Sequence, residues 1–342
     1  MSDKAEINKN CLNTIRLLAA IQVLYMHTLS HLNIELPSNI LSNAIDFLIN
    51  FFDGVPIFFT LSGFLIWHSI GRSSTFGQYI KKRFWRIYPE LWLAVIIELA
   101  VIIILYEEPI NWAQFGLFGV TQGTIFQFWT PEFLRNYGCG CPNGSLWTIC
   151  VLIQFYFFAY FIYRALHNKK NYKWVIAISG SLAIAYLSPI ISSYMPETVA
   201  KLYKQTLFPY LWLFIIAAFA AEKRDVIMPF VKKNWWAFII LAVIFNFTRF
   251  DIKASYYIFG TITLFAGLLG ASYIFPSINI KTDISYGIYI YHMTVVNALI
   301  TLGYKESLWQ LFVVLAITCI LAYISTKSVG KISMNAKMKY NK

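Results

Sequence analysis

Apolar residues in this chain gather in long unbroken runs, separated by short polar segments. Ten runs can be marked, at 12–32, 45–68, 87–106, 145–165, 174–192, 206–221, 235–250, 255–275, 284–303 and 307–326. About 20 apolar residues in helical conformation cover a hydrocarbon core about 30 Å thick. The pattern therefore predicts an all-α, polytopic transmembrane helical bundle of about ten spans. Barrel strands would alternate apolar and polar residues, and these runs do not. A further apolar stretch, 113–128, is short and carries Gln114, Gln122 and Gln127. It is expected to be re-entrant or interfacial, not an eleventh span.

Ionisable groups inside the runs are few, and such groups are costly in hydrocarbon unless they face a bundle interior. Arg16 and His27 share the first run. Eleven helical residues turn through about 1100°, which returns both side chains to one face about 16 Å apart along the axis. His27 should lie about 7–8 Å from the outer boundary and Asp53, in the second run, about 12 Å from it. At those depths a carboxylate could orient an imidazole acting as a general base. Glu98, in the middle of the third run, must face inward. His292 lies near the middle of the ninth run, with Tyr289 and Ser285 on its face. His31, His68 and His167, at run ends or in a loop, suggest no specific role.

Composition sharpens this picture. The 342 residues are 58% hydrophobic and 13% charged, against about 25% charged in soluble chains. Of the 28 Lys and Arg, 21 fall between spans on the side that holds both termini, six on the other side, and Arg16 within a span. Basic residues collect on the cytoplasmic side, so both termini are expected there, with 326–342 a basic tail. The net charge of +12 is thus a topology signal and no argument for nucleic acid, although a basic inner face suits a phosphate-bearing ligand. The first run is expected to persist as a span, because Arg16 interrupts it and no small-residue cleavage site follows. Residues 1–342 read as one integral-membrane domain without an internal repeat. Cys139 and Cys141 are expected to be two loop thiols, since a bridge between residues two apart is strained. No metal site is expected.

Four blocks carry a family resemblance. The first is Arg16 followed, after ten residues, by His27. The second is the stretch Gly54-Val55-Pro56-Ile57-Phe58-Phe59-Thr60-Leu61-Ser62-Gly63-Phe64-Leu65, followed by Arg83-Phe84-Trp85-Arg86-Ile87-Tyr88-Pro89. The third is Asn143-Gly144-Ser145-Leu146-Trp147-Thr148, continuing to Gln154-Phe155-Tyr156. The fourth is Ser285-Tyr286-Gly287-Ile288-Tyr289-Ile290-Tyr291-His292. In this order the chain resembles the acyltransferase-3 family of membrane acyltransferases.

The resemblance implies transfer of an acyl group, usually acetyl, from cytoplasmic acyl-CoA to a hydroxyl. The acceptor would be a surface polysaccharide or lipid-linked glycan, and the setting membrane lipid, that of the bacterial inner membrane. His27, Asp53 and His292 are then the catalytic candidates. Arg16, Arg83 and Arg86 would meet the CoA phosphates through guanidinium forks. Asn143, Ser145, Trp147 and Tyr289 would lie near the acceptor. Two positions depart from the family pattern: Leu152 where a glutamate is frequent, and Pro56 where Gly-Val-Asp is frequent. Ser62 and Gly63 read as a close helix approach and not as a nucleophile. The same spans with buried Arg and His would also suit a transporter or flippase for a glycan or lipid-linked intermediate.

Overall fold

The structure, a computed structural model, describes residues 10–248, 251–276 and 282–339, with side chains as far as 332. Lys4, Lys9, Arg249, Lys281 and Lys342 of the charge pattern lie outside the described residues, as do the side chains of Lys337 and Lys339. Helices dominate, and the one β-bridge among the described residues pairs Lys253 with Tyr257. In chain order they are α1 (Leu12–His31), α2 (Ile40–Phe51), α3 (Gly54–Gly71), α4 (Phe76–Leu105), α5 (Trp112–Gln122), α6 (Trp147–Leu166) and α7 (Asn171–Ser193). There follow α8 (Glu197–Tyr203), α9 (Leu211–Glu222), α10 (Arg224–Thr248), α11 (Ile258–Ser272), α12 (Ser285–Thr301) and α13 (Trp309–Lys339).

Among the described residues, six segments are long and apolar enough to cross a bilayer: Ile40–Gly71, Phe76–Leu105, Gly144–Leu166, Asn171–Ser193, Arg224–Thr248 and Trp309–Ile332. A seventh is the pair Glu197–Tyr203 and Phe208–Glu222, bent by 47°. α11, with 15 residues, and α12, with 17, are too short for that standard, and α12 carries His292. α1 has the length, at 20 residues, but Arg16, Gln22, His27 and His31 lower its hydropathy. Along the long helices many exposed residues are large and apolar, among them Ile96, Ile103, Phe157, Phe161, Ile244, Phe312 and Ile320. Glu98, Ser145, Thr148, His292 and Asn297 are buried. A surface of isoleucine and phenylalanine around a polar interior is what lipid, not water, selects.

Several boundaries differ from the runs. The second run, read as one helix over 45–68, breaks at Phe52. Asp53 caps α3 there, its side chain accepting the Val55 N–H at 3.3 Å, and Pro56 falls in the first turn, where no backbone donor is needed. The helix of the third run, α4, begins at Phe76, eleven residues before the run, so the whole Arg83–Pro89 block is helical. Likewise α10 begins at Arg224, with a kink at Asn234. The short stretch at 113–128 yields α5, whose 11 residues span about 16 Å, and then irregular chain. Two glutamines tie that chain to itself: Gln122 donates to the Trp129 carbonyl at 3.0 Å and Gln127 to that of Thr124 at 2.7 Å.

The chain divides into two compact units. The first comprises 1–19, 53–79 and 151–280, the second 20–52, 80–150 and 281–342. In the first, α3 packs against α9 at Gly63, where an added Cβ would lie 3.0 Å from the Phe214 carbonyl oxygen. Gly63 therefore serves packing, as expected. Phe155 is sandwiched there between Phe59 and Phe214, with ring centroids 5.5 and 5.4 Å away. In the second unit α12 is buried along most of its length and packs on α13.

Candidate functional site

All the candidate residues except Arg16 and Asp53 belong to the second unit. Within it, α1 and α12 bring His27 and His292 together across 265 residues of sequence, with Nδ1 of the first 2.9 Å from Nε2 of the second. His292 is wholly buried, and His27 is half-buried. The hydrogen positions follow from the partners. His292 Nδ1 faces the Ile288 carbonyl oxygen at 3.2 Å. A carbonyl only accepts, so Nδ1 carries the hydrogen and, in the neutral ring, Nε2 is an acceptor. His27 Nδ1–H must then donate to it. The lone pair of His27 is left on Nε2. His31, one turn further along α1, sets its ring edge-on to His27 at 5.7 Å.

This is the geometry of a general base held by an orienting neighbour. When His27 Nε2 takes a proton, the positive ring still donates from Nδ1 into the His292 lone pair, which fixes its rotation and spreads its charge. The position that sequence reasoning gave to a carboxylate is filled by a second imidazole. Asp53, in the first unit, uses its carboxylate as the cap of α3.

A polar network stands beside His292. The Asn143 amide donates to the Ile290 carbonyl at 2.9 Å and accepts the Ser145 hydroxyl at 2.7 Å. The Thr148 hydroxyl lies 2.7 Å from that of Tyr289, whose ring is 5.9 Å from the His292 ring. Asn143, Ser145 and Tyr289 thus join the start of α6 to α12, and Trp147 opens that helix half-buried. Arg86 pairs with Asp283 at 3.5 Å, and Asp283 also accepts the Ser285 hydroxyl at 2.6 Å, at the head of α12. Arg83 lies one turn earlier on α4, and Arg16 is half-buried on α1.

Sequence reasoning missed Asn297. Its side-chain oxygen accepts the Cys139 N–H at 2.7 Å, while its amide nitrogen donates to the carbonyls of Cys141, Pro142 and Met293 at 3.1, 2.8 and 3.0 Å. The irregular segment leading into Asn143 is thereby clamped to the helix that carries His292. The available signal was an asparagine in an otherwise apolar run, five residues past the histidine. Glu98 faces inward as expected: it is buried, neither carboxylate oxygen has a hydrogen-bond partner of normal geometry among the described residues, and Asn143, Tyr137 and Cys141 are its near neighbours.

The geometry thus joins a half-buried imidazole on α1 to a wholly buried one on α12 in an all-helical membrane protein. Residues 9–327 match the family model described as an acyltransferase domain, so the chain belongs to the acyltransferase-3 family. It is similar to Nodulation protein 10 of Rhizobium leguminosarum bv. viciae, with 28% identity over 353 aligned residues covering 96% of this chain and 94% of that protein. No solved structure matches it.

Proposed function

We propose that this membrane acyltransferase moves an acyl group, acetyl by preference, from cytoplasmic acyl-CoA to a hydroxyl of a cell-surface glycan or its lipid-linked precursor. The observation that carries the reading is the 2.9 Å contact between His27 Nδ1 and His292 Nε2, which leaves the other nitrogen of the half-buried His27 ring as a base. His27 Nε2 takes the acceptor hydroxyl proton as the oxygen attacks the thioester carbonyl. The tetrahedral intermediate collapses with cleavage of the C–S bond. The thiolate leaves and takes the proton from His27 Nε2, so the products are an ester and free CoA. Arg83 and Arg86 meet the CoA phosphates, and Arg16, on the histidine's own helix, is a separate candidate for that role. The acceptor binds around Asn143, Ser145, Trp147 and Tyr289, and Asp53 is held at the cap of α3.

The apolar runs favour ten spans in a single domain, 1–342, the charge pattern favours both termini cytoplasmic, and the family resemblance favours a bacterial inner membrane. In that orientation the 106–143 segment faces outward. Cys139 there is exposed, whereas burial pushes the Cys141 thiol up and keeps it un-ionised. A membrane-impermeant maleimide added to intact cells should therefore label the chain at Cys139, and Cys139→Ser should abolish the signal. Labelling only after permeabilisation would invert the topology.

The function is tested by mass spectrometry of surface glycans from cells with and without the gene. The expected result is a loss of one acyl-sized mass per modified unit. Unchanged glycans, together with failure of purified protein to consume acetyl-CoA, would favour transport.

A further inference from the structure

The first unit contains a second polar cluster, built at the common end of α3, α6 and α9. Glu222 accepts three N–H donors: the Trp67 indole at 2.8 Å and His167 Nδ1 at 2.9 Å on one oxygen, and the Asn168 backbone at 2.7 Å on the other. Asn168 holds the left-handed conformation, φ 56°, and its amide reaches His167 Nε2 at 3.1 Å. The Tyr163 ring stacks on His167, with centroids 4.4 Å apart and planes 15° off parallel. Both nitrogens of His167 and both oxygens of Glu222 are thus engaged. The carboxylate charge is spread over three donors. This wall is rigid, and acyl transfer as described makes no use of it.

Beside the wall is a cavity of about 340 Å³, a volume within the range of small-molecule sites. Its remaining lining holds two guanidinium groups, those of Arg72 and Arg224, with the ring of His68 beside them. The exposed Arg72 guanidinium forms no hydrogen bond or ion pair among the described residues. Arg224 lies over the Tyr273 ring at 5.7 Å. One further carboxylate, the exposed Asp225, shares the lining. It is outnumbered locally, since Lys169, Lys170 and Lys223 occupy the adjoining turns. The charge pattern assigns these helix ends to the cytoplasmic surface, the depth of lipid phosphates, where basic pockets between spans hold anionic headgroups.

We propose that this pocket binds a phosphate-bearing ligand, with the phosphoryl oxygens held by Arg72 and Arg224. The chemistry fits a phospholipid headgroup or the phosphates of a soluble molecule. Neither source requires the histidine pair, so the inference is independent of acyl transfer.

The test uses the full chain, purified in neutral detergent and examined by native mass spectrometry. The probes are phosphatidylglycerol, diacylglycerol with the same acyl chains, and CoA, each against the parent protein and Arg72→Gln. Arg72 is exposed at the end of α3, so the variant should fold, as its unfolding temperature will report. Phosphatidylglycerol should bind the parent and bind the variant at least about tenfold more weakly, the scale of one lost charge-assisted hydrogen bond. Diacylglycerol should not bind at this site. An Arg72-dependent loss seen with CoA alone would support the proposal and identify the ligand as soluble. Equal binding of both phosphate probes to parent and variant would overturn it. Repeating the titration in His27→Ala protein should leave the result unchanged, which separates this site from the catalytic reading.

Discussion

His27→Ala should lower the rate of acyl transfer by about 10²–10⁴-fold, the usual contribution of a positioned general base, with little change in the affinity for acyl-CoA. Loss of a group that acts only in the transition state reduces kcat and kcat/KM together. His292 makes the expectation sharper. Because its Nδ1 is committed to the Ile288 carbonyl, its Nε2 serves as acceptor for His27 Nδ1–H. An alanine there removes the acceptor and frees the His27 ring to rotate. His292→Gln keeps an amide oxygen that can accept the same hydrogen, so it should retain more activity than His292→Ala. An exchanger of protons would behave differently: if His292 itself carried the reacting proton, the glutamine would be as inactive as the alanine. Steady-state kinetics on the purified variants decides between these, and a fully active His27→Ala protein would refute the catalytic reading outright.

The helical membrane character was legible because hydropathy over 20-residue runs reports directly on what must face lipid. The same measure is weakest where the candidate residues lie, since Arg16 and His27 are among the side chains that make α1 less apolar. The break at Phe52 was legible in principle. Asp53, followed by a glycine and then Pro56, is a helix-start signal, but it lies inside an apolar run and is masked by it. The face shared by Arg16 and His27 followed from helix periodicity alone. The meeting of His27 with His292 did not, because their 265-residue separation is bridged by packing that no local pattern encodes; only the family resemblance set the two side by side as candidates. The direction of the hydrogen bond between them needed coordinates, since it depends on which carbonyl lies behind the second ring. The first unit's Glu222 cluster was hidden for a related reason. Trp67, His167 and Glu222 stand at three helix ends, where each reads as an ordinary boundary residue.

The clamp at Asn297 should prove the most sensitive structural point of the site. Gly138 has φ 58°, and a Cβ there would lie 2.0 Å from the Asn297 side-chain oxygen. Gly138→Ala therefore combines two costs. A left-handed residue with a side chain costs about 1–2 kcal/mol. The overlap also pushes the Asn297 amide away from its partners on Cys139, Cys141 and Pro142, and each buried polar group left unsatisfied costs a further ~1–3 kcal/mol. Together these approach the ~5–15 kcal/mol margin by which native folds persist, so Gly138→Ala should sharply reduce the yield of folded protein and its unfolding temperature. Asn297→Ala should lose the same hydrogen bonds and leave only part of the steric conflict. In that background Gly138→Ala should then cost much less than it does alone, giving losses well short of additive for two residues in contact. Activity should fall with both single variants, because the clamped segment leads directly into Asn143 and Ser145, which hold α6 on the helix carrying His292. Additive losses, or a Gly138→Ala protein with the parent's unfolding temperature, would show that the segment is held by something other than Asn297.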